Sequence, residues 1–295
     1  MQTRAFGLTG LHVTPMGFGA MHLNDDRVSE AEAGHLLNAV LDAGVNLIDT
    51  ARGYGHSEAR IGRHLAHRRQ DFLLSTKVGY GIPGHADWTY GCILAGVDAA
   101  LTRMRCEHLD IVHLHSCPLA TLERGEVTRA LEDCAAAGKL RVVAYSGENA
   151  ELDFAMQSGR FDAVQTSLSL CDQGNLPERL AALRARGLGV IAKRPLAGAV
   201  WQQTQRPEAF AEGHYWDRWQ AMDLGEAPEG LSWNEVGLRF TAHCPGVSSS
   251  IVGTNKLAHF LENLTWVQKG PLPPDLVATL HSAFQSHNQD WFGLI

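Results

Sequence analysis

The feature that most limits what this chain can fold into is an alternation that runs nearly end to end, short apolar runs each followed by a longer stretch with helical spacing. The pairs fall at residues 15–20 and 30–43, 45–50 and 57–67, 72–78 and 93–104, 108–115 and 126–137, 141–146 and 152–156, 163–168 and 177–186, 189–195 and 234–243, and 248–253 and 259–267. In the first long stretch Leu36, Leu37, Val40 and Leu41 recur at the 3.6-residue period of a helix with one apolar face. Eight strand-helix units of this kind predict an α/β chain closed into a (β/α)8 TIM barrel. A doubly wound sheet is the runner-up, but its early Gly-x-Gly-x-x-Gly turn is missing. Residues 3–13 place a Gly-bearing turn between short apolar runs and read as an N-terminal β-hairpin, and the chain past residue 267 leaves room for an extra C-terminal helix. Residues 1–295 read as a single barrel domain.

A barrel gathers the polar residues that end its strands at one mouth, where the strand-helix loops build the site. The stretch that most invites chemistry is residues 46–58, an apolar run ending in an acid, then two glycines around a tyrosine, then a helix start. Leu47 and Asp49 share a face by the period of two, so Asp49 is the last inward residue of a buried strand, an expensive place for a carboxylate unless a cation meets it. Gly53 and Gly55 free the turn that presents Tyr54, and Ser57 reads as an N-cap with Glu58 in the first turn. Farther on, the inward polar residues near strand ends are Lys77, His113, His115, Ser146 and Gln165. A phenol with a pKa near 10 is a poor acid at neutral pH, and a neighbouring lysine cation favours its ionised form. Asp49 would hold Lys77 charged, Tyr54 would deliver a proton to a carbonyl, and a histidine across the mouth would orient it. Lys77 also admits other readings, a core lysine or a Schiff-base nucleophile of a lyase barrel. The His-x-His pair suggests a metal site, but the inward His and acidic partners on other strands are missing, so no metal is expected.

Composition narrows the partners. A formal charge of -7 without any block of like charges argues against a nucleic-acid surface or a membrane patch. No stretch approaches the roughly 18 uninterrupted apolar residues of a membrane span, and the N-terminus lacks a signal-peptide apolar region. Cys92, Cys106, Cys117, Cys134, Cys171 and Cys244 are scattered without a CxxC, which fits free thiols in a reducing compartment. The expectation is a cytoplasmic monomer or weak homo-oligomer acting on a small molecule, with Cys117 an ordinary loop thiol unless it is exposed enough to be oxidised.

Taken together the motifs resemble the aldo-keto reductase superfamily. Residues 46–58 with Gly62 resemble its second-strand signature, Ser-Thr-Lys at 75–77 its third-strand lysine, and Leu-Asp-Ile-Val-His-Leu-His at 109–115 its fourth-strand histidine. The resemblance runs from Leu11, through a segment containing Gly19 and Ala20, to the final helices. It implies Asp49, Tyr54, Lys77 and His115 as a catalytic tetrad; His115, five residues after Asp110, fits the pattern and His113 does not, leaving His113 as a hydrogen-bonded core residue. It implies an NAD(P)(H)-dependent oxidoreductase that reduces an aldehyde or ketone, or oxidises the corresponding alcohol or sugar, with Tyr54 as general acid or base. Cofactor contacts are expected from Gly19, Ala20, Ser146, Gln165, Lys193, Pro195, Leu196, Gly253, Thr254, Asn255, Lys256, His259 and Asn263. Gly147 stands where the family pattern has an asparagine, and Lys193 where it has a stacking ring. Lys256 beside a helix N-terminus favours NADP(H), with NAD(H) as the alternative. Two other readings stay open, a cofactor-sensing regulatory binding protein of the same fold and the lyase barrel. The stretch 199–232, with Trp201, Trp216 and Trp219 and bordered by Trp233, reads equally as a lid or substrate wall and as an accessory helical pair. Trp291 and Phe292 are candidates to reach the pocket.

Overall fold

The computed structural model describes residues 2–176 and 178–295. Strands β1 (Arg4–Ala5) and β2 (His12–Val13) pair antiparallel as the expected hairpin. The next eight strands, β3 (Met16–Gly19), β4 (Leu47–Asp49), β5 (Leu73–Val78), β6 (Leu109–His115), β7 (Leu140–Ser146), β8 (Ala163–Ser167), β9 (Gly189–Lys193) and β10 (Ser249–Val252), lie parallel in chain order. Pairing of β10 back onto β3 closes the (β/α)8 TIM barrel. The hairpin serves as its floor. Phe6, Leu11 and Val13 pack with Leu47, Ile111, Val142 and Ile191 beneath the barrel. Phe6 fits because residue 189 is glycine, where a Cβ would stand 2.7 Å from its ring.

Around the barrel run α1 (Glu30–Asp42), α2 (Ser57–Leu65), α3 (Tyr90–Met104), a short α4 (Leu119–Arg124), α5 (Glu126–Ala136), α6 (Asn149–Ser158), α7 (Glu178–Ala185), α8 (Phe210–Met222), α9 (Trp233–Ala242), α10 (Leu257–Gln268) and the extra C-terminal helix α11 (Pro274–His287). The predicted start of the sixth helix at residue 177 lies outside the described residues. Helix α1 shows why the sequence stops and starts where it does: Ser29 accepts from the Glu32 amide while Glu32 accepts from the Ser29 amide, a reciprocal cap. From there Leu36, Leu37, Val40 and Leu41 face the barrel shell, as their period requires.

Two local expectations change. Ser57 is the first residue of α2 rather than its cap, and its hydroxyl bonds Thr50 Oγ1 (2.8 Å) and the Ala20 carbonyl (2.9 Å). The stretch 199–232 contains α8, which buries Tyr215, Trp219 and Met222 in a second apolar cluster with Val236, Phe240, Leu280, Phe284 and Leu294. Trp219 packs against Trp201 and Trp233 with centroids 5.3 and 4.9 Å apart. The stretch thus holds one α-helix, α8, and its tryptophans spend their area on the second apolar cluster. Among the described residues no helix is long and apolar enough to cross a membrane, and no group of three or more His, Cys, Asp or Glu is placed to hold a metal ion.

Candidate active site

Strand register sets the floor of the site. At the C-terminal ends of neighbouring strands Asp49 lies opposite Ser75, Lys77 opposite His113, His115 opposite Ser146, and Ser146 opposite Gln165. Asp49 is buried at 2% exposure and fully engaged: Oδ2 accepts from Lys77 Nζ at 2.6 Å, and Oδ1 accepts from Ser75 Oγ at 2.7 Å and Gln165 Nε2 at 2.9 Å. Lys77 Nζ also donates to the Thr50 carbonyl at 2.8 Å. Burial alone would raise the Asp49 pKa, but the Lys77 and His113 charges outweigh it and hold the carboxyl below its usual range. Burial likewise would lower Lys77, and Asp49 foremost reverses the sign, so the ammonium stays charged. His113 is buried with Nε2 3.1 Å from Ser75 Oγ and Nδ1 without a partner; burial first, then Lys77 against Asp49, pushes it down to about 4.

Above this floor stand two rings. The chain leaves β4 in a turn closed by Tyr54 N to Ala51 O (3.0 Å) and Ser57 N to Tyr54 O (2.9 Å). Gly55 has φ +44°, and a Cβ there would overlap Asn24 Oδ1, so only glycine fits. Glu58, buried in the first turn of α2, anchors the other side by accepting from Thr76 Oγ1 and Arg103 Nε, each at 2.7 Å. The loop thus holds Tyr54 half-buried, its ring centroid 5.0 Å from Lys77 Nζ and 6.1 Å from the His115 ring. Burial first, then the Lys77 and Lys193 charges, pushes His115 down to about 3, so its imidazole is neutral at ordinary pH.

The residues expected to touch a cofactor form two groups. Ser146 and Gln165 belong to the floor network, Ser146 Oγ donating to Gln165 Oε1 at 3.2 Å. Gly19 ends β3 beside Asp49, with Ala20 buried after it. Gly253 lies against Gly19: a Cβ on Gly253 would stand 3.0 Å from the Gly19 carbonyl and 2.9 Å from the His22 ring. Thr254, Asn255, Lys256 and His259 line the start of α10, where Thr254 Oγ1 accepts from the Lys256 amide at 3.0 Å. Lys256 and His259 are exposed and meet no carboxylate among the described residues, while Asn263 lies on the buried side of α10. Pro195 is buried and Leu196 packs against the shell. Lys193 is bonded at 3.1 Å to Glu148, a buried acid that also accepts from Ser167 N (2.8 Å) and Thr166 Oγ1 (2.5 Å).

Glu148 was not among the sequence candidates, although an acid two residues past Ser146 at a strand end was the available signal. Ser75, Tyr80, Asn149, Arg194 and Arg218 were also missed. The last three hold the C-terminal tail over the same side of the mouth: Asn149 exchanges two bonds with Gly293 (2.8 and 3.0 Å), Arg194 donates to Leu294 O (2.6 Å), and Arg218 to Phe292 O (2.7 Å). Trp291 lines a cavity of about 340 Å³ with Glu148, Asn149 and Asp172, whereas the Phe292 side chain faces solvent. Cys117 is buried with its thiol pushed up to about 12 by burial, which removes it as a reactive group.

A family model described as the aldo/keto reductase family matches residues 15–284. The chain is similar to an L-galactose dehydrogenase of Arabidopsis thaliana, 27% identical over 282 residues that cover 90% of this chain and 88% of that protein. It is also similar to a probable voltage-gated potassium channel subunit beta of Oryza sativa subsp. japonica, 27% identical over 321 residues covering 97% of each. Among solved structures, an aldo-keto reductase from Bacillus halodurans in its holo form superimposes with a TM-score of 0.84 at 23% identity, covering 96% of both chains.

Proposed function

The chain belongs to the aldo/keto reductase family, and from that premise we propose that it is an NAD(P)(H)-dependent oxidoreductase that reduces an aldehyde or ketone, or oxidises the corresponding alcohol or sugar. The observation that carries this reading is the buried ion pair beneath the phenol: Lys77 is 2.6 Å from Asp49 and 5.0 Å from the centre of the Tyr54 ring. Carbonyl reduction needs a proton at the oxygen as negative charge develops there. Tyr54 delivers that proton, and the Lys77 ammonium stabilises the charge the phenol oxygen takes up. Asp49 keeps the ammonium charged and aimed. His115, neutral, donates to the carbonyl oxygen and orients it. In the oxidative direction the same groups run in reverse.

The nicotinamide cofactor, when bound, supplies or accepts the hydride. The donor set fits such a group. Ser146 and Gln165 offer a hydroxyl and an amide beside Asp49, and the missing side chain at Gly253 lets the chain after β10 lie close against Gly19 and His22 at the end of β3. The exposed Lys256 at the start of α10, which meets no carboxylate among the described residues, suits a phosphate, which supports NADP(H) over NAD(H). Lys193 gives no ring to stack on; its pairing with Glu148 leaves a polar wall in that position. The lyase reading loses support from the same geometry, because an ammonium held by Asp49 and the Thr50 carbonyl is not a free amine nucleophile.

Similarity to the channel subunit favours one second reading, a cofactor sensor that does not turn over. Turnover separates the two. NADPH oxidation above background on a panel of aldehydes, ketones and sugars is the result expected for the enzyme. Tight NADPH binding without turnover on any of them would support the sensor.

A further inference from the structure

The loop after β5 carries a second Gly-Tyr-Gly, residues 79–81, and it is built as firmly as the first. Gly79 has φ +147°, and a Cβ there would lie 2.2 Å from the Trp88 ring, which packs edge-on against Tyr80 with centroids 5.9 Å apart. The loop closes on itself through Trp88 N to Gly79 O (2.8 Å) and Gly81 N to Asp87 Oδ1 (2.9 Å). It is joined to the Tyr54 turn by Arg52, which donates to the Gly81 carbonyl. The result is a fixed phenol. Tyr80 stacks on His115 with centroids 5.6 Å apart and planes inclined by 23°, and its hydroxyl lies 2.8 Å from His115 Nδ1. Gly53 leaves the space for that hydroxyl, since a Cβ there would already be 3.3 Å from it.

We infer that Tyr80 is a positioning residue for His115: by donating its hydroxyl proton to Nδ1 it holds the ring in place and leaves the single imidazole proton on Nε2. Resting on the reductase reading above, this makes His115 a donor toward the substrate oxygen rather than an acceptor. The reason is the bookkeeping of protons on a neutral imidazole, which has one donor and one acceptor nitrogen, so that a bond accepted at one nitrogen fixes the proton at the other. The ring is neutral because burial, Lys77 and Lys193 all oppose its charge. Tyr80 is available as the donor because burial first, and then the neighbouring Tyr54, keep its phenol protonated. A phenol left without its proton would reverse the roles, placing the imidazole proton on Nδ1 and turning a lone pair toward the carbonyl oxygen.

Two measurements decide it. Nitrogen-15 NMR of histidine-labelled protein, with the His115 signals assigned by their loss in His115→Gln, should show the wild-type proton on Nε2 and a hydrogen-bonded, unprotonated Nδ1. In Tyr80→Phe, which keeps the ring and its stacking, the Nδ1 signal should shift to that of an unbonded or protonated nitrogen. With an aldehyde substrate Tyr80→Phe should lower kcat/KM by about tenfold, the worth of one well-made hydrogen bond, with the NADPH Kd and melting temperature unchanged. A wild-type proton on Nδ1, or Nδ1 signals identical in wild type and variant, overturns the assignment whether or not the protein proves to be a reductase. A loss of turnover as large as that of Tyr54→Phe would overturn it as well, since Tyr80 would then be acting as the acid.

Discussion

Lys77 shows how much a single side chain carries here. Both members of its pair with Asp49 are within 2% of full burial, and a buried pair is sensitive to the loss of one partner because the other remains desolvated and unpaired. Lys77→Met should therefore abolish turnover and cost about 3–5 kcal/mol of stability, read as a lowered denaturation midpoint with an unchanged slope. A variant as stable as wild type would mean that the Ser75 and Gln165 donors suffice for Asp49. Asp172 is the opposite case. Burial first and the nearby Glu148 second push its carboxyl up to about 7, against Arg218 at 3.8 Å. A folded-state pKa above the unfolded value gives stability that is complete below the unfolded pKa and is lost as pH rises through the folded one. The wild type should lose melting temperature progressively from about pH 4, the ordinary carboxylate pKa, up to about pH 7 on this account, and Asp172→Asn, which still offers an acceptor to the Tyr215 hydroxyl that donates to Asp172 at 3.3 Å, should lose less. Parallel falls for the two proteins would contradict it. At this scale the sequence was legible where a residue was costly. Asp49 at an inward strand end called for a cation, and Lys77 is that cation. Tyr80 was passed over although Gly79-Tyr80-Gly81 repeats the pattern of Gly53-Tyr54-Gly55, because nothing local in the sequence says that its hydroxyl meets His115 from the neighbouring strand.

Among the elements, α8 is the one whose role the sequence leaves open between two readings. The tryptophans of 199–232 were legible as apolar area needing cover, but whether ligand or protein supplies the cover depends on α11 and the tail, distant in sequence. In the fold Tyr215, Trp219 and Met222 are covered by protein. Burying three such side chains contributes roughly 5–9 kcal/mol at about 1.5–3 each, the size of a typical domain's whole net stability. Deleting residues 212–223 should thus give an insoluble protein or one without a cooperative melt by circular dichroism. A cooperative melt at the wild-type temperature with only the substrate KM raised would restore the lid. The start of α10 makes a different kind of prediction. Lys256→Glu reverses the charge beside the Thr254 and Asn255 turn and should remove any preference for NADPH over NADH in KM, while NADH KM changes little. An unchanged ratio would place the 2′-phosphate elsewhere.

The whole molecule is a closed barrel whose hairpin seals one end and whose loops, α8 and C-terminal tail crowd the other. Eight repeats of one spacing made that architecture readable, since hydrophobic period and strand length are local properties. What stayed hidden was assembled by the closure itself. Glu148 reaches Lys193 across β8, and Arg194 and Arg218 grip a tail that starts about 70–100 residues later in the chain. The central claim is that this mouth delivers a proton from Tyr54 as hydride arrives at a carbonyl carbon. Its most direct test pairs single-turnover NADPH oxidation with NADPH fluorescence titration on Tyr54→Phe, which removes the hydroxyl and keeps the ring beside Lys77. Turnover should fall by roughly 10²-fold to 10⁴-fold, the usual worth of a general acid, with NADPH affinity nearly unchanged. Turnover within tenfold of wild type on a good substrate would contradict the claim and remove Tyr54 as the proton donor.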